Sequence, residues 1–368
     1  MSASRATRSA DWNAMSSLLA VRLDGMGDLL MTTPALHALK ETAPARRLTL
    51  LTSPAGGAVA QSLPFVDDVI EFRAPWVKSA QPATPAECGA MLARLRGARF
   101  DGAVVFTVCT QSALPAATML MLAGIPRRVA YARENPYALL TDWLRDPDVD
   151  VRAGVRHEVR RQLDLVCELG AESHDTRLRY PVTTQARTAM LAKATAAGAD
   201  PDRRWLVVHP GATAASRRYP VRLLSVAVAA LTRDDRWQLL LVGGDDERDD
   251  LDALGHAAPG AVRVRDPLTV AELAAMIARA DVLVCNNSGP AHLAAAVGTA
   301  VVDLYALTNP QHTPWGVRHV TLSHPVPCHG CLRSACPELH HRCLAAIAPE
   351  TVVAAAQSLA AHPVARAA

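Results

Sequence analysis

Short runs rich in valine, leucine and isoleucine, apolar on both faces, alternate with longer helical patterns along almost the whole chain, and no other feature restricts its fold so much. A strand buried on both faces belongs to a parallel sheet, because parallel neighbours are joined by crossover helices that cover the sheet on each side. Strand candidates fall at 18–23, 48–52, 68–72, 102–107 and 128–132 in the first half, and at 205–209, 237–243, 262–264, 282–285 and 300–305 in the second. Helical patterns such as 85–96 and 270–279 lie between them. The series pauses between about 170 and 204, where a helical pattern is present but no strong buried strand. An α/β chain of two doubly wound domains follows, facing each other across a cleft lined by the carboxyl ends of both sheets, where open sheets of this class bind ligands. The expected division is a flexible N-terminus at 1–17, a first domain at 18–175, a linker at 176–203, a second domain at 204–348, and a closing helix with a frayed tail at 349–368.

A length of 368 residues agrees with two domains, since single cores stop growing at about 250 to 300 residues. The longest apolar windows, such as "SALPAATMLMLAGI" at 112–125, fall short of the roughly 20 residues a membrane span needs. The first 17 residues are polar and lack the apolar core of a secretory signal, so the expected location is the cytoplasm. A formal charge of +3 is too mild for a nucleic-acid binder and is compatible with an anionic substrate or a membrane surface.

The stretch "VRLDGMGDLLMTTPALHALK" at 21–40 has the outline of a dinucleotide-binding fingerprint: a strand, then Gly25 and Gly27, then a helix. The position of the third glycine holds Leu30, and the next strand, "LTLLTS", ends in Thr52 and Ser53 rather than in an acid that would hold a ribose. A nicotinamide enzyme is therefore demoted. What the fingerprint leaves over is Asp28, a carboxylate at a helix start, just past a glycine turn at the carboxyl edge of a strand.

Three loops of the second half also end strands. "WLVVHPGATAASRRYP" carries His209, Gly211 and Thr213 in a small-residue loop that exposes backbone N–H groups, followed by Arg217 and Arg218; a phosphate binds such a loop, and a solvated loop with two surface arginines reads equally well. "LLLVGGDDERDD" offers Gly243 and then Asp245, Asp246 and Glu247, one of which is placed to hold ribose hydroxyls. "DVLVCNNSGPAHLAAAVG" ends its strand at Cys285 and starts a helix through Asn286, Asn287, Ser288, Gly289 and Pro290, with His292 in the first turn. A helix N-terminus carries a partial positive charge that stabilises an anion, although an ordinary capped helix has the same pattern.

These three loops, the opening stretch, "PFVDDVIEF" and "PCHGCLRSACPELHHRCL" together resemble, from about residue 18 to about 355, the glycosyltransferase family 9 heptosyltransferases of lipopolysaccharide core synthesis. The resemblance implies a GT-B fold of two Rossmann-like domains facing across a cleft, the first binding the acceptor and the second ADP-heptose, and an inverting transfer that needs no metal or other cofactor. It puts Asp28 at the catalytic base, Arg217 near the phosphates, and His292 in a "TGPxH" helix start, where Asn287 stands in place of the family's common Asp. Gly25 and Gly27 then free backbone near the acceptor, while His209, Gly211, Thr213, Ser288 and Gly289 face the departing ADP, and Gly243 and Glu247 face its nucleoside. The implied partners are an ADP-sugar donor and a lipid A-core type acceptor, met by peripheral contact with the inner face of the inner membrane. Another nucleotide sugar, a protein acceptor, or a catalytically silent nucleotide-sugar-binding subunit are the alternatives.

Of the eight cysteines, Cys88, Cys109, Cys167 and Cys285 are scattered among apolar neighbours, whereas Cys328, Cys331, Cys336 and Cys343 cluster as C-x2-C-x4-C-x6-C around His340 and His341. A structural zinc or iron site, packed reduced thiols, and disulfides are the readings of that cluster.

Overall fold

In the computed structural model, which describes residues 5–79, 81–148, 150, 154–308 and 311–361, each half of the chain builds one six-stranded sheet whose pairings are all parallel. The chain divides into two units, Met1–Arg179 and Tyr180–Ala368.

The first unit runs α1 (Arg5–Asn13), β1 (Ser17–Arg22), α2 (Met26–Thr42), β2 (Arg47–Thr52), α3 (Pro54–Ala60), β3 (Asp68–Glu71), α4 (Pro85–Ala98), β4 (Gly102–Val105), α5 (Leu114–Leu122), β5 (Arg127–Ala132), β6 (Asp142–Arg145) and α6 (Glu158–Cys167). Its strand order is β3-β2-β1-β4-β5-β6. The second unit runs α7 (Thr184–Ala196), β7 (Trp205–His209), α8 (Val221–Leu231), β8 (Gln238–Leu241), α9 (Arg248–Ala257), β9 (Val262–Arg263), α10 (Val270–Arg279), β10 (Val282–Asn286), α11 (Gly289–Val297), β11 (Ala300–Leu304), β12 (His319–Leu322), α12 (Arg342–Ala345) and α13 (Pro349–Ala360). Its order, β12-β11-β10-β7-β8-β9, is the same winding again. Central strands β4, β10 and β11 are buried at every position, as strands covered on both faces must be. In each unit the chain builds outward on one side of its first strand and then crosses to the other. The switch points therefore lie between β1 and β4 and between β7 and β10, and the loops after those strands emerge side by side.

Three expectations need correction. Residues 5–13, expected to be flexible, form α1, and Trp12 just inside its end is buried. Arg46 donates to the Trp12 carbonyl at 2.6 Å, and a side chain at Gly102 would strike Met15 and Trp12, so the segment is packed beneath the sheet. The expected linker at 176–203 carries α7, which packs on α10 within the second unit. Strands β6 and β12 had no apolar run to announce them, because they are sheet edges: "DWLR" and "HVTL" bury two residues and none, respectively. The closing helix α13 packs on α8 and β11, while the tail at 362–368 lies outside the described residues.

Candidate active site

In the first unit, the chain leaves β1 through Asp24 and Gly25 and enters α2. Gly25 is the N-cap, with extended backbone (φ −75°, ψ 175°) that any residue adopts, so the glycine turn is not forced by conformation. Having no side chain, Gly25 cannot cap the helix; Asp28, three residues on, accepts from the Gly25 N–H at 3.1 Å, while Gly27 lies in the first turn. Asp28 keeps about a quarter of its side chain exposed. Its carboxylate is thus both anchored and reachable, which is what a proton acceptor for a bound hydroxyl requires.

Beneath it lies a group the sequence reading missed. Arg22, the last residue of β1, is fully buried and spreads its three nitrogens over three acids: Nε to Asp24 at 3.1 Å, Nη2 to Asp28 at 3.4 Å and Nη1 to Glu158 of α6 at 3.2 Å. Burial works against the guanidinium charge, but Asp24, Glu158 and Asp28 outweigh it and raise the Arg22 pKa. Burial pushes the Asp24 carboxyl up to about 6, against the pull of Arg22 and of Gln111, whose Nε2 donates to it at 2.6 Å. Arg22 and Asp24 stand in the opening stretch, and a charge ending an apolar strand is a local signal. Glu158 lies 136 residues further on and has none. Asp24 also borders a pocket of about 240 Å³ walled by Leu23, Trp76, Phe106, Gln111 and Pro115, at the β1/β4 switch point.

In the second unit, β10, β7 and β8 are neighbours, and their parallel register aligns Cys285 with His209 and Val208 with Leu241, so the three loops predicted to bind emerge along one edge. A Cβ on Gly211 would overlap the Glu247 side chain, and one on Gly243 would come within 3.0 Å of it; the glycines let Glu247 lie across both loops. Glu247 accepts from the Gly244 N–H at 2.9 Å. His209 accepts from the Gly211 N–H at 3.2 Å, and burial holds its imidazole pKa below the ordinary value against the pull of Glu247. A pocket of about 280 Å³ opens beside these residues, bordered by Gly243, Asp245, Arg248, Val264 and Pro267.

Ser288 is the N-cap of α11, but its hydroxyl does not cap: it donates toward the carbonyls of Asn286 at 3.1 Å and Gly211 at 3.4 Å. Asn286, missed as a functional residue, is fully buried and ties the loops together, donating to the carbonyls of Pro210 and Gly211 and accepting from the Tyr219 N–H at 2.8 Å. Gly289 opens α11, and His292 is buried within it, edge-on to the His312 ring at 6.4 Å. Thr213 is exposed.

Arg217 ends a short 3-10 turn at 215–217 that is held from behind by the cysteine segment. Ser216 donates its N–H to the Ser334 carbonyl at 3.0 Å and its hydroxyl to the Arg333 carbonyl at 2.6 Å, and His341 Nε2 meets the Ser216 carbonyl at 2.7 Å. All eight cysteines are free. The Cys343 thiol lies within electrostatic reach of Cys336, Cys328 and Cys331, and burial with those neighbours pushes it up against a hydrogen bond from Leu307. Among the described residues, no three His, Cys, Asp or Glu side chains converge closely enough to hold a metal ion.

Asn287 is turned away from the other loop residues. Its amide nitrogen donates to the His312 carbonyl at 2.7 Å and approaches Asp303 Oδ2 at 3.4 Å.

A family model described as glycosyltransferase family 9 (heptosyltransferase) matches residues 89–341. Lipooligosaccharide heptosyltransferase 2 of Campylobacter jejuni serotype O:6 is 21% identical over 337 residues, covering 89% of this chain and 94% of that relative. The structure of a family 9 glycosyl transferase from Veillonella parvula matches with a TM-score of 0.78 at 17% identity, covering 94% of this chain and 97% of that one. That of ADP-heptose lipopolysaccharide heptosyltransferase II from Escherichia coli matches at 0.71 and 18% identity, covering 94% and 98%. At such identities the structural likeness is one of fold.

Proposed function

Since this chain belongs to glycosyltransferase family 9 (heptosyltransferase), we propose that it transfers a heptose from ADP-heptose to a lipopolysaccharide inner-core acceptor, with inversion at the anomeric carbon and no catalytic metal. It is a glycosyltransferase with the α/β architecture of GT-B enzymes. The observation that carries the proposal is the meeting of Glu247, Gly211 and Ser288 at the carboxyl ends of adjacent parallel strands, beside the N-terminus of α11. Glu247 offers a carboxylate to ribose hydroxyls. The α11 N-terminus and Arg217 meet the diphosphate, and the adjoining pocket takes the base.

In the reaction, Asp28 takes the proton of the acceptor hydroxyl as that oxygen bonds to the anomeric carbon. The bond from that carbon to the diphosphate oxygen breaks on the opposite face, and ADP leaves with the electron pair. The helix dipole and Arg217 stabilise the charge that develops on it. The pocket beside Asp24 receives the acceptor, with Trp76 as an apolar wall and the Asp24–Gln111 pair for hydroxyls. Because that acceptor carries lipid, the work is placed at the inner face of the inner membrane, reached by peripheral contact. Among the described residues no helix is long and apolar enough to cross a membrane.

Arg217→Ala is expected to weaken ADP binding about ten- to a hundredfold, the worth of one charge-assisted contact. Calorimetry with ADP measures it; unchanged affinity would remove Arg217 from the phosphate site.

The cysteine segment is proposed to hold a structural metal away from the chemistry. Four thiols are the right donors for zinc or iron. Leu332, Leu339 and His341, none of them glycine, adopt left-handed backbone inside this one segment, a strain that a clamp there would offset. Since the thiols do not converge, the metal would draw them together. Stoichiometric zinc or iron in the purified protein, with a melting temperature lowered by a strong chelator, is expected; neither would be seen if the thiols are merely packed.

A further inference from the structure

Asp303 stands near the carboxyl end of the interior strand β11, between β10 and β12, wholly buried, and the only hydrogen-bond partner it has among the described residues is the amide of Asn287. Among the described residues no cation is paired with it. Its second oxygen, Oδ1, has no hydrogen-bond partner among the described residues. Asn287 is itself 3% exposed, and its backbone N–H is bonded to the Leu304 carbonyl at 3.2 Å, so the loop cannot easily turn the side chain elsewhere. With one acceptor on the strand and another at the His312 carbonyl, the group between them has to be a donor, and only the amide orientation that points nitrogen inward satisfies both. That orientation leaves the Asn287 carbonyl oxygen as the side-chain atom with no hydrogen bond among the described residues.

We propose that Asp303 is a positioning residue that holds Asn287 with its amide inward and its carbonyl oxygen toward the donor sugar, so that positions 287 and 303 function only as a matched donor–acceptor pair. The donor-facing half of this statement rests on the reading of the second unit as the nucleotide-sugar site; the pairing itself does not. An acid at 287 would set a carboxylate against the buried Asp303 and against the His312 carbonyl, with two acceptors and no hydrogen between them unless the two acids share a proton. The other titratable or charged groups around the pair are Cys285 of β10, Tyr305 just past β11, His312, His292 of α11, and Arg217, which acts on Tyr305. Burial raises the Asp303 pKa well above the ordinary carboxyl range, against the Asn287 hydrogen bond, in keeping with an acid that has no paired cation among the described residues.

A double-mutant cycle tests the pairing. Asn287→Asp is expected to lower the melting temperature by roughly 5 °C at about pH 8, and by less at about pH 5. In that variant the folded pair binds a proton more tightly than the unfolded chain does, so stability is lost as pH rises. Adding Asp303→Asn reverses the polarity of the contact, giving an amide on the strand and an acid in the loop. It is expected to recover the part of the loss that Asp303 causes at the higher pH and to abolish the added pH dependence, while the acid at 287 still faces the His312 carbonyl. If Asn287→Asp does not fold, recovery of folding in the double variant supports the pairing in the same way. Additive changes at both pH values, an unaltered Asn287→Asp protein, or a double variant no better than the single one would each overturn it. Donor binding separates the second half: Asp303→Ala, which removes one of the two acceptors that hold the Asn287 amide, is expected to raise the KM for the nucleotide sugar at least about fivefold with a smaller change in kcat. An unchanged KM in a protein whose cycle shows coupling would leave the pair structural and overturn its donor role. Failure of the wild-type protein to bind ADP would instead overturn the nucleotide-sugar reading.

Discussion

Asp28→Asn is expected to lower the rate of heptosyl transfer by at least about 10²-fold, the usual loss on removing a general base, while ADP affinity stays nearly unchanged. The amide keeps an oxygen that can accept from the Gly25 N–H, now 3.1 Å from the carboxylate, so the first turn of α2 is expected to survive. What is lost is the basic lone pair and the charge facing Arg22 at 3.4 Å. Transfer assays on the purified variant, with ADP calorimetry beside them, separate chemistry from binding. Near wild-type turnover would remove Asp28 from proton transfer and return it to the role of helix-start acid.

The second large effect lies beneath the first. Replacing Arg22 by methionine leaves Asp24, Asp28 and Glu158 around an apolar side chain. Stripping a buried ion cluster of a cation that three acids share typically costs about 3–5 kcal/mol. Arg22→Lys is expected to fold but to transfer at least about tenfold more slowly, since one ammonium cannot reach three acids that a planar guanidinium serves with three separate nitrogens. Denaturant unfolding reads the first variant and transfer kinetics the second. A methionine variant within about 1 kcal/mol of wild type would mean that the acids are solvated or protonated without Arg22's help.

The ten strand candidates in the sequence were strong because they were apolar on both faces, and each became a strand of one of the two sheets. Two of the four edge strands, β6 and β12, stayed hidden, since an edge is covered on fewer sides and does not require an apolar run. Loop glycines were legible as turn residues, but not for the reason that matters. At Gly211 the need is room for the Glu247 side chain, a contact between residues 36 apart that only the β7–β8 pairing creates. Asn287 stood out as a departure from the family pattern. Both of its interior contacts use the amide as donor, a role that an ionised acid at that position does not have. Glu158 and Asp303 left no trace, since buried acids are defined by partners brought near by folding rather than by their place in the chain.

The central claim is that this chain moves a heptose from an ADP donor to a lipopolysaccharide-core hydroxyl. The measurement that bears on it most directly is incubation of the purified protein, in the presence of a chelator, with ADP-heptose or other nucleotide sugars and an inner-core acceptor. ADP release, acceptor product and anomeric configuration are followed together. The account predicts that ADP-heptose is consumed in preference to the other donors, that ADP appears in step with heptosylated acceptor, and that the product linkage is inverted relative to the donor. Consumption of a different nucleotide sugar in preference to ADP-heptose, or no acceptor-dependent ADP release from ADP-heptose, would contradict it.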